Sequence, residues 1–250
     1  MSFKKILITG ASGYQAAFII KTLMGKYDLT LVDRVPPAAE FAGLRFVSAD
    51  IADFEAIRQA CQGQDAVIHL VALVRGRFGL SQELYADVMV KGTWNVAEAC
   101  IQNGVKRLVN ISSVVACGWP QDTGKPYHVG EAARMGGGDL FYCLSKHLGE
   151  EIGRVYHQGH GLEVIHLRPG MIAGDGANPD PRNPQDGSKY WFLHVHPEDV
   201  AQAVELSLRP QAPAYGAFHV LGDHPASLFD ISETKEKLGY QPKHNWSGVM

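Results

Sequence analysis

Short apolar segments alternate with helical patterns along most of this 250-residue chain, and this alternation constrains the fold more than any other feature. The apolar segments lack a polar alternation, which is typical of strands that are covered on both sheet faces. Strands that alternate with helices indicate parallel βαβ units, so the sequence predicts an α/β fold, a doubly wound parallel sheet of about seven strands between two helical layers. The predicted strands are Lys4–Thr9, Leu29–Val32, Arg45–Ser48, Ala66–Val71, Arg107–Ile111, Glu163–Leu167 and Phe218–Leu221, and the predicted helices are Gln15–Gly25, Asp53–Cys61, Ser81–Gln102, Leu140–His157, Pro197–Leu208 and one near Glu233–Leu238.

Two long segments rich in glycine, proline and polar residues interrupt the alternation, at Gly118–Asp139 and Asp175–Ser188. Loops of this length in a compact domain are typical of binding sites. Both follow the carboxyl ends of predicted strands, where open α/β sheets hold their ligands. The sequence therefore predicts a ligand site at that edge of the sheet.

The bulk composition argues against several classes of protein. A formal charge of −3 provides no strong field for nucleic acid or a membrane surface, so we expect neither as a partner. No apolar run is long enough to cross a bilayer, and the N-terminus lacks a signal-peptide pattern, so we expect a cytoplasmic protein. The four cysteines form no CxxC pair and no metal-type cluster with the histidines, so we expect free thiols and no metal site.

A glycine-rich turn follows the first predicted strand. Gly10 allows a tight turn, Gly13 allows the backbone to approach a pyrophosphate, and Ala16 is small enough for the helix to pack on the strand. The backbone N–H groups at the start of the helix then face the phosphates. An ordinary strand-to-helix turn is the alternative. The residues assigned to cofactor binding here are Gly10, Ser12, Gly13, Tyr14 and Gln15.

Carboxylates follow the second and third predicted strands. Asp33 lies where an acidic side chain accepts hydrogen bonds from the ribose 2′-OH of a dinucleotide and repels a 2′-phosphate. Arg34 is next to it and can tolerate a phosphate, so the pair favours NAD over NADP without deciding between them. Asp50 and Ile51 lie where the adenine edge is expected, and a solvated turn carboxylate is an equal alternative for Asp50.

A tyrosine and a lysine four residues apart, Tyr142 and Lys146, share one face of a predicted helix. An ammonium group next to a phenol stabilises the phenolate, so we expect Lys146 to lower the pKa of Tyr142. Ser112 and Ser113 follow the fifth predicted strand, where a hydroxyl can hydrogen-bond a reacting oxygen, although a serine there also caps turns. The ordered set of glycine turn, acid, paired serines and Tyr-x-x-x-Lys indicates a proton-transfer group next to a dinucleotide.

These residues resemble the extended short-chain dehydrogenase/reductases of the NAD-dependent epimerase/dehydratase family, which have a Rossmann fold. The matching segments are ITGASGYQAAFI, TLVDR, SADIAD, AVIHLVALV, VKGTWNVAEAC, RLVNISSVVACG, YCLSKHLGEE, LRPGMIAG, HVHPEDVAQAV and EKLGYQPK. The resemblance implies catalytic roles for Ser113, Tyr142 and Lys146 and a homodimer formed through helices 81–102 and 140–157. It implies cofactor contacts from Leu70, Val71 and Ala72, and from Tyr142 and Lys146, with Lys146 on the nicotinamide ribose.

The short chain resembles the uronate (sugar-acid) dehydrogenases within this family. It departs from them at Val114 and Val115, where their pattern has Asn-His, and from the wider family at Met89 and Cys117, where Asn and Tyr are frequent. The substrate contacts we expect are Val74, Arg75, Val114, Val115, Arg182 and Trp191; solvated arginines and a core Trp191 are the alternatives.

The resemblance thus predicts an NAD-dependent oxidoreductase that transfers a hydride between a secondary alcohol or carbonyl of a small sugar-like molecule and nicotinamide. An epimerase or dehydratase with tightly held NAD and a non-catalytic NAD sensor are the alternatives. Residues 1–168 are predicted to form the dinucleotide-binding core with the catalytic helix. Residues 169–250 are predicted to complete the sheet and to form a small C-terminal substrate-binding annex.

Overall fold

The computed structural model describes residues 3–73, 81–118, 139–174, 193–224 and 227–245. Its strands are β1 (Lys5–Thr9), β2 (Asp28–Asp33), β3 (Arg45–Ser48), β4 (Ala66–His69), β5 (Arg107–Ile111), β6 (Glu163–Pro169), β7 (Met171–Ile172), β8 (His194–Val195) and β9 (Tyr215–Val220). Seven of them form one sheet in the order β3-β2-β1-β4-β5-β6-β9, and all neighbouring pairs are parallel. The predicted doubly wound Rossmann sheet is confirmed, and the strand order reverses between β1 and β4.

The helices are α1 (Tyr14–Leu23), α2 (Phe54–Ala60), α3 (Gln82–Tyr85), α4 (Gly92–Gln102), α5 (Leu140–His160), α6 (Pro197–Ser207) and α7 (Ser232–Leu238). Their positions agree with the sequence prediction, but α5 continues three residues further, to His160, because only at Gly161 does the backbone turn left-handed, with φ +71°. The predicted single helix over 81–102 is in fact three segments in series. A π-helical stretch, Ala86–Lys91, separates α3 from α4.

Apolar side chains fill both faces of the sheet, as the continuous apolar strands predicted. Successive residues of β1 alternate between the two cores: Ile6 and Ile8 pack in one, and Leu7 packs in the other. The first core contains apolar residues of α1 and α6, and the second contains those of α2 and α4. Because β1 is fully buried from Ile6 to Ile8, the turn that follows it is held on a rigid support.

The C-terminal part of the chain completes the sheet through β9 and packs α6 against α1. Strands β7 and β8 form a separate parallel pair that the sequence did not predict, because each has only two residues and no pattern can appear in so short a run. The last sheet strand begins at Tyr215, three residues before the predicted start. Among the described residues, no helix has both the length and the apolar character that a membrane crossing requires.

Candidate active site

A cleft of about 290 Å³ lies at the carboxyl ends of β1, β2 and β4, where the strand order reverses. Open α/β sheets bind their ligands at this switch point. The structure brings ten of the residues predicted to bind the cofactor into the lining of this one cleft. They are Gly10, Ser12, Gly13, Asp33, Arg34, Asp50, Ile51, Leu70, Val71 and Ala72.

The glycine turn lies directly against the chain that leaves β4. Gly10 has a φ of +74°, and a Cβ atom added there would lie 2.9 Å from the backbone nitrogen of Val71. Helix α1 then starts with Gly13 as its N-cap, with no side-chain capping bond and no acidic residue in its first turn. The positive end of the helix dipole is therefore not offset by an acidic side chain of that turn, which fits a bound pyrophosphate.

The carboxylate of Asp33 is held by two backbone N–H groups. Ser12 donates to Oδ2 at 3.0 Å, and Arg34 donates to Oδ1 at 2.7 Å. The guanidinium of Arg34 is exposed and lies 4.0 Å from the carboxylate of Asp50. An oriented carboxylate at the end of β2 fits a ribose 2′-OH and opposes a 2′-phosphate by like charge.

Four predicted cofactor residues do not line this cleft: Tyr14, Gln15, Tyr142 and Lys146. The ring of Tyr14 packs edge-on against Phe18, with centroids 5.6 Å apart. Gln15 donates from Nε2 to the carbonyl of Pro197 at 3.0 Å, which ties α1 to α6. The backbone N–H groups of Tyr14 and Gln15 lie in the first turn of α1, where they can serve the predicted phosphate contact.

Ser113, Tyr142 and Lys146 come together at the carboxyl end of β5. Asp139 caps α5 by accepting hydrogen bonds from the backbone of Phe141 and Tyr142, which places Tyr142 in the first turn. The side chain of Ser113 lies close enough to the hydroxyl of Tyr142 to lower its pKa. The ammonium of Lys146 lies 5.8 Å from the centroid of the Tyr142 ring and donates to the carbonyl of Ile111 at 2.7 Å.

Burial dominates the protonation of this group. It raises the pKa of Tyr142 to about 12, although the hydrogen bond from Ser113 acts in the opposite direction. Burial also lowers the pKa of Lys146 to about 8, against the attraction of Glu150. The pKa of Tyr142 is therefore raised, whereas the sequence led us to expect a lowered one, because burial disfavours the phenolate.

His69, at the end of β4, is a buried core residue rather than a ligand. One ring nitrogen, Nδ1, lies 2.7 Å from Oγ1 of Thr9, and Nε2 lies 3.1 Å from Oγ1 of Thr93. Burial lowers its pKa to about 3, so the ring is neutral. Because both nitrogens have partners, His69 links β1, β4 and α4 behind the cleft.

The sequence analysis missed a buried ion pair next to the proton-transfer group. Glu150 on α5 accepts two hydrogen bonds from Arg168 on β6, at 2.6 and 2.9 Å, and one from Ser112 at 2.5 Å. The signal was the spacing, since Glu150 follows Lys146 by four residues and therefore shares its helix face.

The NAD dependent epimerase/dehydratase family model matches residues 6–196, which include every element of the cleft and the proton-transfer group. The chain belongs to this family. Its members are NAD-dependent enzymes, as the family description states.

Two relatives that match nearly all of this family member are named as sugar dehydrogenases. It is 28% identical to L-arabinose 1-dehydrogenase (NAD(P)(+)) of Haloferax volcanii, over 98% of this chain and 99% of the relative. It is 26% identical to uronate dehydrogenase of Pseudomonas putida, over 96% and 84%. The fold also matches a solved mutant of Agrobacterium tumefaciens uronate dehydrogenase complexed with NAD, with a TM-score of 0.80, 23% identity and coverage of 97% and 85%.

Only two of the six residues predicted to contact the substrate of this family member, Val114 and Val115, are among the residues that the structure describes. Val114 is 4% exposed and packs in the core, which argues against its predicted contact with substrate. Val115 is half-buried in the short 3₁₀ helix that follows Ser113. The remaining predicted contacts lie outside the described residues: Val74, Arg75, Arg182 and Trp191.

One histidine-rich cluster lies away from the cleft, at the start of α6. His196 caps that helix by accepting a hydrogen bond from the backbone of Glu198 at 3.2 Å, and its ring stacks on His244 with centroids 3.6 Å apart. The side chains of His196, Glu198 and His244 are of the types that bind metal ions, and their ligand atoms lie within 4.8 Å of one another. Face-to-face rings do not direct their nitrogen lone pairs to a common point, and the capping bond already uses Nδ1 of His196.

Proposed function

We propose that this chain is an NAD-dependent dehydrogenase that oxidises a hydroxyl-bearing carbon of a sugar or sugar acid. The observation that carries the proposal is the convergence of Ser113, Tyr142 and Lys146, with the ammonium of Lys146 5.8 Å from the centroid of the Tyr142 ring. The names of the whole-length relatives support the substrate class.

The cleft residues fit NAD in charge and in space. Gly10 and Gly13 leave room for the pyrophosphate at the start of α1, and Asp33 would hold the adenosine ribose. Asp50 and Ile51 would lie against the adenine. The side chain of Ile51 is held in place by close packing on Gly92, where an added Cβ would come within 2.9 Å of it. The segment Leu70–Ala72 would lie along the middle of the cofactor.

The proton moves through the side chains of this chain, while NAD, when bound, supplies the hydride acceptor. Tyr142 takes the hydroxyl proton of the substrate as its phenolate. Ser113 hydrogen-bonds the reacting oxygen and keeps it within reach of Tyr142. Lys146 stabilises the phenolate by its positive charge and holds the nicotinamide ribose. Because the pKa of Tyr142 is high, the charge of Lys146 alone is not enough to form the phenolate. The positive nicotinamide ring, when bound, would add a second positive charge that lowers this pKa further.

We further propose a homodimer in which α4 and α5 pack against a second copy. Large apolar side chains are exposed on these two helices: Trp94, Leu140, Phe141, Leu144 and Val155. Exposed apolar surface of this kind is typical of protein interfaces. A cytoplasmic location is compatible with the four free cysteines. The annex around the sugar would come from residues 169–250.

A substrate panel tests the function. Neutral aldoses, uronates, sugar phosphates and simple alcohols are each mixed with NAD and the protein, and NADH is followed by its absorbance. We expect turnover with at least one sugar class and none with the simple alcohols. Tyr142→Phe is the matched control, because it removes only the hydroxyl.

The same preparation separates a dehydrogenase from an epimerase. A dehydrogenase exchanges NAD in every turnover, so NADH accumulates and the purified protein carries little cofactor. Interconversion of sugar epimers without net NADH, by protein that purifies with NAD bound, would refute the proposal.

A further inference from the structure

A buried carboxylate lies one helical turn beyond Lys146 on α5. Tyr142, Lys146 and Glu150 follow each other at intervals of four residues, so they lie along one face of the helix. Lys146 is 6% exposed and Glu150 is 7% exposed. Buried charges are costly unless they are paired, so each of these groups needs a compensating partner.

Glu150 ties α5 to the ends of two strands. Arg168 on β6 donates from Nη2 to Oε2 at 2.6 Å and from Nε to Oε1 at 2.9 Å. Ser112, directly before Ser113, donates to Oε1 at 2.5 Å, and its backbone nitrogen donates to Leu167 at 2.7 Å. Glu150 thus holds Ser112 from α5, and the adjacent Ser113 lies close to Tyr142 on the same helix.

Glu150 supplies a negative charge to the group of charged side chains around Lys146. His69 and His166 are neutral, because burial lowers their pKa values to about 3 and about 4. Two cations, Lys146 and Arg168, then share one anion. The titratable and charged side chains that face this cluster in the described part of the chain lie on several elements: Tyr142, Glu150 and Glu151 on α5, His69 on β4, His166 and Arg168 on β6, Tyr215 and His219 on β9, and Cys117 in the 3₁₀ helix after β5.

We propose that Glu150 is a positioning residue: its carboxylate keeps the ammonium of Lys146 charged inside the buried site and anchors Ser112 so that Ser113 stays against Tyr142. The inference rests on the proposed function for the roles of Ser113, Tyr142 and Lys146. Burial lowers the pKa of Lys146, and Glu150 is the group that opposes this shift. Without the carboxylate, Arg168 becomes an uncompensated cation, and Lys146 releases its proton at a lower pH.

The test measures the protonation of Lys146 directly, in the full chain without substrate. Lysine labelled with carbon-13 at Cε reports the charge of its ammonium group by NMR, and Lys146→Arg assigns the signal. We expect Glu150→Gln to lower the titration midpoint of Lys146 by about one pH unit or more, because an opposite charge nearby shifts a pKa by about 1–3 units. An unchanged midpoint overturns the proposal.

Two further variants keep the test decisive if Glu150→Gln folds poorly. The double variant Glu150→Gln/Arg168→Met removes both charges, and neutral replacement of a buried ion pair is often tolerated. Its Lys146 midpoint should also lie below that of the parent protein. Arg168→Met alone should raise the midpoint, because Glu150 then acts on Lys146 without a competing cation. A merely structural ion pair predicts similar destabilisation in both single variants and no opposite displacement of the midpoint.

The pH profile of turnover provides a second readout. Activity that needs a charged Lys146 should decline at a lower pH in Glu150→Gln than in the parent protein. If no sugar is oxidised but the midpoints move as expected, the proposed function fails and the placement of Glu150 stands. If sugars are oxidised and the midpoints do not move, the proposed function stands and the proposed role of Glu150 fails.

Discussion

Three buried neutral histidines should make this protein sensitive to mild acid. His69, His166 and His219 are 2%, 1% and 0% exposed, and burial lowers their pKa values to about 3, about 4 and about 4. Their ordinary pKa is 6.5. Between about pH 4 and about pH 6.5, the unfolded chain therefore binds more protons than the folded protein, so the free energy of unfolding rises with pH in this window and is lost as the pH falls.

The magnitude follows from the size of these shifts. Each pH unit below the ordinary pKa costs about 1.4 kcal/mol per histidine until the folded-state pKa is reached. At pH 5 that is about 2 kcal/mol for each ring, or about 6 kcal/mol for the three together, relative to about pH 8. A loss of this size is comparable to the whole stability of many domains, which is about 5–15 kcal/mol.

Urea unfolding at several pH values between about 5 and about 8 measures the effect. His219→Asn is the informative variant, because its amide can still donate to the carbonyl of Asp230, which Nδ1 of His219 contacts at 3.1 Å. It should remove about a third of the pH-dependent loss in the free energy of unfolding that the three histidines cause together. His147→Asn, at an exposed position of α5, is the matched control and should leave the pH dependence unchanged. Equal pH dependence in the parent protein and in His219→Asn would refute the reasoning.

Four further outcomes are expected. Tyr142→Phe should lose about 10²–10⁴ in kcat while calorimetry still detects NAD binding, and near-normal turnover would contradict the mechanism. NAD should bind more tightly than NADP, and Asp33→Ala should narrow that difference in calorimetric titrations; tighter binding of NADP to the parent protein would overturn the assignment. Gly10→Ala should weaken NAD binding and lower the melting temperature, because its Cβ would lie 2.9 Å from the Val71 nitrogen. Unchanged NAD affinity would contradict the assignment of this turn to cofactor binding. Trp94→Glu should shift sedimentation from dimer to monomer, and a monomeric parent protein would disprove the interface.

The sheet and the cleft could be predicted from the sequence because they depend on local patterns. Buried parallel strands are apolar throughout, and a glycine turn followed by an acid at the next strand end has a fixed geometric meaning. The reversal between β1 and β4 then brought residues from four separate segments to one place. This is why Gly10, Asp33, Asp50 and Val71 line the same cleft.

Features that depend on tertiary packing could not be predicted in the same way. The direction of the Gln15 side chain depends on the carbonyl of Pro197, which is distant in sequence. The burial of Val114 depends on apolar partners from several elements, and the partner of Glu150 is Arg168 on another strand. The pKa of Tyr142 followed the desolvation of its ring, which no spacing between Tyr142 and Lys146 reveals.

The π-helical segment Ala86–Lys91 lets one helix serve two different neighbours. At one end, Tyr85 donates from its hydroxyl to Asp139 at 2.5 Å, and Asp139 caps the helix that carries Tyr142. At the other end, Thr93 meets the ring of His69. A π turn holds about one residue more than an α turn, and each α-helical residue advances by about 100° around the helix axis. The π-helical segment therefore rotates the inward face of α4 by about 100° relative to the inward face of α3. An insertion or a deletion in this stretch would therefore displace both the contact with the proton-transfer helix and the contact behind the cleft, because both depend on the length of the segment.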